Sequence, residues 1–169
     1  MPRLIKRAQV VEDAAVLVRE AATLAEVPQG VRVIVPFALW RAERDALVAR
    51  GNVGVWLAPA DDPLALTDDV AALDLIAIDF PAFTDGRGYS SARLLRDRLG
   101  YRGELRAIGD VQRDQLYYLA QVGFDAFSLP ADGDVDAALA SLRDFADGYQ
   151  LTHRHTPWFR RRDAQGAAA

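Results

Sequence analysis

Residues 73–129, LDLIAIDFPAFTDGRGYSSARLLRDRLGYRGELRAIGDVQRDQLYYLAQVGFDAFSL, read as strand, glycine-bearing loop, helix, strand, helix, strand. Three short apolar runs, 75–80, 104–108 and 124–129, alternate with two segments of helical period, which is the signature of parallel β/α units. In the first helical segment, 90–99, the spacing turns Leu94, Leu95 and Leu99 inward and Arg93, Arg96 and Asp97 outward. In the second, 111–122, Asp110 is placed as N-cap and Gly123 as terminator. Ligands of such folds sit beyond the carboxyl ends of the strands. That puts Asp79, the loop Thr84 to Ser91, Gly109, Asp110 and Ser128 on one rim.

Working outward, the β-branched run 31–35 between Gly30 and Pro36 reads as a strand. A helix from 38 to 50 with Gly51 as cap follows, then a strand over 53–58. Short extended pieces fall at 3–6, 10–11 and 15–18, and Thr67 or Asp68 is placed to cap a brief turn through Ala72. A last helix is expected over 134–145. The chain therefore predicts one α/β domain over 1–150 and an extended basic, aromatic tail over 151–169. The expected fold is a mostly parallel sheet of about five β/α units. An open sheet with helices on both faces is the favoured form, its exposed edge covered by the N-terminal strands. The alternative is a partial β/α barrel that closes differently or by forming a homodimer.

Composition limits the chemistry. At 169 residues with half of them apolar, the chain suits one core, burying roughly 70% of its unfolded surface. No apolar run approaches the ~20 residues that span a bilayer, and the first residues lack the apolar centre of a signal peptide, so a cytoplasmic protein without a membrane partner is expected. There is no cysteine, which excludes disulfides, thiolate zinc sites, cysteine-ligated iron–sulfur clusters and thiol nucleophiles. Net charge is −4, and the tail holds Arg154, Arg160, Arg161 and Arg162 against Asp163 alone. An acidic body with a short basic tail is a poor nucleic-acid partner.

Several residues are candidates for chemistry. In the loop 84–91, glycines permit a tight turn and hydroxyls and a guanidinium suit an oxyanion, so Asp85, Gly86, Arg87, Gly88, Ser90 and Ser91, with Arg113 nearby, form a candidate anion site. The competing reading is a tight loop whose serine caps a helix. Neither the P-loop ending nor a full GxGxxG is present, because Ser91 stands where the third glycine belongs. Asp79 and Asp110 are the catalytic candidates, a carboxylate pair at neighbouring strand ends; capping explains Asp110 equally, and an ion pair with Arg87 or Arg113 explains Asp79. His153 and His155 share a face if extended but lack a third ligand, and no metal is expected. Trp158, Phe159, Arg160, Arg161 and Arg162 combine aromatic and basic groups as docking surfaces do, or else pack on their own domain. Trp40, Trp56 and Tyr117 read as packing residues.

The segments TDGRGYS (84–90) and GDVQRDQL (109–116), with VPFALW (35–40) and VWLAPADDP (55–63), closely resemble the bacterial family called domain of unknown function 934. The resemblance covers about 31–150. It implies a place beside the enzymes of assimilatory sulfite and sulfate reduction, where some members are described as oxidoreductases. Relatives often carry a cysteine where this chain has Val122. Joined to the residues, the resemblance implies an accessory protein that docks to sulfite reductase or another sulfur-assimilation enzyme, with no redox centre and no cofactor of its own. The alternative it leaves open is a small β/α enzyme or carrier holding an anionic sulfur or phosphate-bearing metabolite at the 84–91 loop. A flavin-dependent electron-transfer helper is a third, weaker reading.

Overall fold

The computed structural model describes residues 3–130 and 133–142. Among them, the strands are β1 (Arg3–Lys6), β2 (Gln9–Glu12), β3 (Ala15–Leu17), β4 (Arg32–Pro36), β5 (Val53–Leu57), β6 (Leu75–Phe80), β7 (Glu104–Gly109) and β8 (Ala126–Phe127). They form one sheet in the order β2-β1-β8-β7-β6-β5-β4-β3. From β3 to β8 the neighbours are parallel, whereas β1 runs antiparallel to both β8 and β2. The sheet is therefore mixed, not the mostly parallel array of five β/α units expected from the sequence. The cause is the N-terminal hairpin, which pairs along β8 and covers that edge of the parallel strands.

Helices fill only some of the connections. Helices α1 (Phe37–Ala42) and α2 (Arg44–Arg50) join β4 to β5, α3 (Arg87–Arg93) joins β6 to β7, α4 (Leu116–Val122) joins β7 to β8, and α5 (Val135–Ser141) follows β8. Between β5 and β6 there is a 3-10 turn, Pro63–Leu66, capped by Asp62, and the chain turns on through Ala72 as expected, with Thr67 Oγ1 donating back to Leu64 O at 2.6 Å. Consecutive right-handed crossovers that all step the same way leave their helices on one face of a sheet. The core divides accordingly. Val35, Val55, Ile78, Leu105 and Phe127 pack with helical Leu47, Leu95 and Leu119, while the alternate residues Ile34, Leu75, Ala77 and Ile108 form a second, smaller cluster with Leu17 and Trp56. Helices on both faces, the favoured reading, would need the strand order to reverse, and it does not.

Chain connectivity also demands curvature. β2 and β3 occupy opposite edges of the sheet, yet only Asp13 and Ala14 separate them. Eight strands laid flat at ~4.8 Å would hold those edges roughly 34 Å apart. Three Cα steps reach at most about 11 Å. The sheet is consequently an open, curled one, with its two edges drawn towards each other around the smaller cluster.

Charged side chains occupy part of this inner face. Arg106 donates through Nε to Glu104 Oε1 at 2.8 Å, with Nη2 lying 2.7 Å from the same oxygen, and donates through Nη1 to Asp13 Oδ2 at 2.9 Å. Lys6 Nζ lies 2.6 Å from Glu104 Oε2. Burial alone would raise the Glu104 carboxyl, but Arg106 and Lys6 outweigh it and hold it below its ordinary value. The cluster ties β1, β7 and the β2–β3 link together, so it clasps the curl.

Three local expectations are corrected. The helix expected over 38–50 breaks at Glu43, whose backbone leaves the helical region and whose carboxylate accepts Leu24 N–H at 3.1 Å. Arg96, expected outward, is buried, because α3 continues as a π turn over Leu94–Arg98 and the wider turn swings the side chain inward. There it donates to the carbonyls of Gly123, Tyr101 and Gly103 at 2.8–2.9 Å. Asp110 does not cap the helix after β7, which begins as a 3-10 turn, Arg113–Gln115, with Gln112 N–H donating to Gln115 Oε1 at 2.9 Å.

Candidate site at the carboxyl-terminal rim

Asp79 stands one residue before the end of β6 on the inner face, 8% exposed. Its partner is Arg19, just past β3, which donates from Nη1 to Oδ1 at 2.7 Å. The same guanidinium lies 5.4 Å from the Trp56 ring centroid, and Trp56 Nε1 donates to Val18 O at 2.9 Å. A nearly buried carboxylate requires such a cation. Arg19, rather than Arg87 or Arg113, supplies it, and the indole holds Arg19 in place.

Gly109 closes the approach between β6 and β7. Its φ is +92°, and a Cβ there would sit 2.3 Å from Phe80 O and 2.8 Å from Asp79 Oδ1. Only glycine fits both the left-handed backbone and the space. The next residue, Asp110, donates its N–H to Phe80 O at 2.7 Å, and its carboxylate turns to the neighbouring loop, accepting Phe83 N–H at 2.9 Å and the amide of Gln112. Gln115 Nε2 donates to Phe83 O at 3.2 Å. Both backbone groups of Phe83 are therefore held from the β7 side, while its ring is 49% exposed.

The loop expected to cradle an anion has its charges joined to each other. Arg87 donates to Asp85 through Nε at 2.9 Å and Nη2 at 2.6 Å, and its own N–H reaches Oδ1 at 3.2 Å. Those hydrogen bonds hold the Asp85 carboxyl below, and the Arg87 guanidinium above, their ordinary values. Gly86 has φ −83°, and Gly88 lies in α3, so neither supplies positive φ. Gly88 is needed for packing, since a Cβ there would meet Phe80 Cζ at 2.5 Å. Ser90 is exposed, Ser91 Oγ donates to Arg87 O at 3.4 Å, and Arg113 is exposed with its carbonyl accepting Ser141 Oγ.

The rim thus gathers Asp79, Asp110 and the 84–91 loop at adjoining strand ends but gives each a separate partner. Asp79 and Asp110 do not share one. Arg19, Phe83 and Gln115 were not singled out by sequence reasoning. Of the three, only Phe83 left a signal, an aromatic set among turn residues in PAFTDG. Trp158, Phe159, Arg160, Arg161 and Arg162, with His153 and His155, lie outside the described residues. Among the described residues no three His, Asp or Glu side chains are grouped to hold a metal ion, and no helix is long and apolar enough to cross a membrane.

No curated protein matches the chain. Residues 54–159, more than half of its length and running from within β5 to beyond α5, match the family described as bacterial protein of unknown function (DUF934), and the chain belongs to that family.

Proposed function

We propose that this protein is an accessory factor of assimilatory sulfite reduction, docking onto sulfite reductase or another sulfur-assimilation enzyme through the rim loop that carries Phe83. The sulfur connection rests on the place that the family resemblance implies. One structural observation carries the docking surface: a half-exposed aromatic ring on a loop whose N–H and C=O are both fixed, by Asp110 and Gln115. A preorganised aromatic loses little conformational freedom on burial, which is why such residues anchor interfaces. Acid–base work at the same rim would first require Asp79 to give up Arg19, and anion capture at the loop would require Arg87 to exchange Asp85 for the ligand. The paired state of both carboxylates favours docking over turnover.

The test is a pull-down and calorimetric titration of the full chain against the sulfite reductase from the same genome. Phe83→Ala should weaken the complex at least tenfold, the loss of about 1.4 kcal/mol or more expected for a central aromatic anchor. Equal affinity of parent and variant, or no complex with either, would refute the reading. Removing residues 151–169 measures separately what the basic, aromatic tail adds.

A further inference from the structure

At the opposite end of the sheet from Phe83, a cavity of about 400 Å³ opens beside the β1–β2 hairpin. Its apolar wall includes Phe124, Phe127 and Leu142, and its polar side carries Arg7, Arg96, Arg102 and Asp125. The volume falls in the range of small-molecule sites, and an apolar body with a few placed polar groups is their usual composition. Neither the rim reading nor the family match assigns anything here.

Charge at this cavity is unbalanced. Three guanidiniums face one carboxylate, and Asp125 is already shared: Oδ1 accepts Leu105 N–H at 2.7 Å and lies 3.4 Å from Arg96 Nη2, while Oδ2 lies 3.7 Å from Arg7 Nε. Arg96 is fixed by three backbone carbonyls and stacks 5.4 Å from the Tyr101 ring. Burial holds its guanidinium below the ordinary value, and the like charges of Arg102 and Arg7 add to that against the attraction of Asp125 and Tyr101. Arg7 and Arg102 are exposed at the entrance.

A second observation concerns the backbone that presents Arg7. Arg7 and Ala8 form the two-residue hairpin turn with φ of +49° and +59°. Such turns favour Asn-Gly, because L side chains are strained at positive φ. Alanine here has no polar group to compensate, and arginine gains no local hydrogen bond from the conformation except its N–H to Asp125 O at 2.7 Å, which any residue could make. Strain held at a cavity mouth is a pointer to binding.

We propose that this cavity binds a small organic anion, its oxyanion head between Arg7 and Arg102 and its apolar body against Phe124, Phe127 and Leu142. Guanidinium forks suit carboxylate, sulfonate and phosphate alike.

The experiment follows backbone amide shifts of the full chain during titration with phenyl phosphate, and in parallel with inorganic phosphate and benzyl alcohol, which carry the head and the body separately. Phenyl phosphate should give saturable shifts centred on residues 7, 102 and 123–125, with the two partial probes weaker at the same amides. Arg102→Gln should reduce phenyl phosphate affinity by roughly fivefold or more while leaving the melting temperature unchanged. Arg7→Gly should also reduce affinity, yet raise the melting temperature, because glycine relieves the turn. Absence of saturable shifts, shifts centred elsewhere, unchanged affinity in both variants, binding of benzyl alcohol alone, or a lower melting temperature for Arg7→Gly would each overturn the proposal.

Discussion

Replacing Glu104 by alanine removes the centre of the clasp inside the curled sheet. Its side chain is 3% exposed and holds Arg106, 4% exposed, by one hydrogen bond and a second close contact, and Lys6, 33% exposed, by a third contact. Without it, Arg106 keeps only Asp13 as a charged partner within this cluster, and the interior gains an uncompensated cation. Breaking one partner out of a buried ion cluster costs about 3–5 kcal/mol. A domain of this size has roughly 5–15 kcal/mol in total, so the variant should melt about 6–20 °C lower. Lys6→Met, which removes the more exposed cation, should cost only about 1 kcal/mol. Urea titration followed by tryptophan fluorescence measures both, with the slope checked for constancy. A loss below about 1 kcal/mol for Glu104→Ala at unchanged slope would mean that the inner charges do not clasp the sheet. The pH dependence has a definite sign. Because the folded-state pKa of Glu104 is depressed, its contribution is present above the unfolded carboxyl value near 4.5 and is lost as pH falls through the lower folded value. The stability gap between the parent and Glu104→Gln, wide at neutral pH, should close in acid.

Gly88→Ala places a methyl 2.5 Å from Phe80 Cζ and 3.0 Å from Ile78 Cγ2, and that ring is itself wedged against Tyr89 and Phe124. Thermal denaturation should show a loss of about 1–3 kcal/mol, despite alanine's better helix propensity. Asp110→Ala frees the Phe83 N–H, so hydrogen exchange at Phe83 should accelerate while amides of β6 and β7 stay protected; an unchanged rate at Phe83 would mean that Asp110 does not hold the loop. Arg19→Met should lower the urea midpoint, because it leaves the nearly buried Asp79 carboxylate without its cation; an unchanged midpoint would mean that the pair contributes nothing to stability.

Strands such as Val53–Leu57 and Leu75–Phe80 were legible because β-branched and apolar runs between turn residues state their own type. Neighbour order was not, since periodicity identifies elements without saying which edge each one joins. The decisive clue to the curl, two residues between β2 and β3, becomes readable only once both strands are known to be opposite edges. Arg96 was misplaced because a π turn shifts the helical phase without leaving a compositional mark. The rim itself was legible: Asp79, Gly109 and Asp110 do lie at adjoining strand ends. Their partners were not, because Arg19 is 60 residues from Asp79 and Phe83 is 27 from Asp110, and long-range pairing leaves no trace in local pattern.

Docking through the rim is tested most directly by a hydrogen-exchange footprint of the protein with and without sulfite reductase. Protection concentrated on residues 81–91 and 110–115 is the expected result. Protection confined to other surfaces, or none at reductase concentrations that saturate a pull-down, would contradict it.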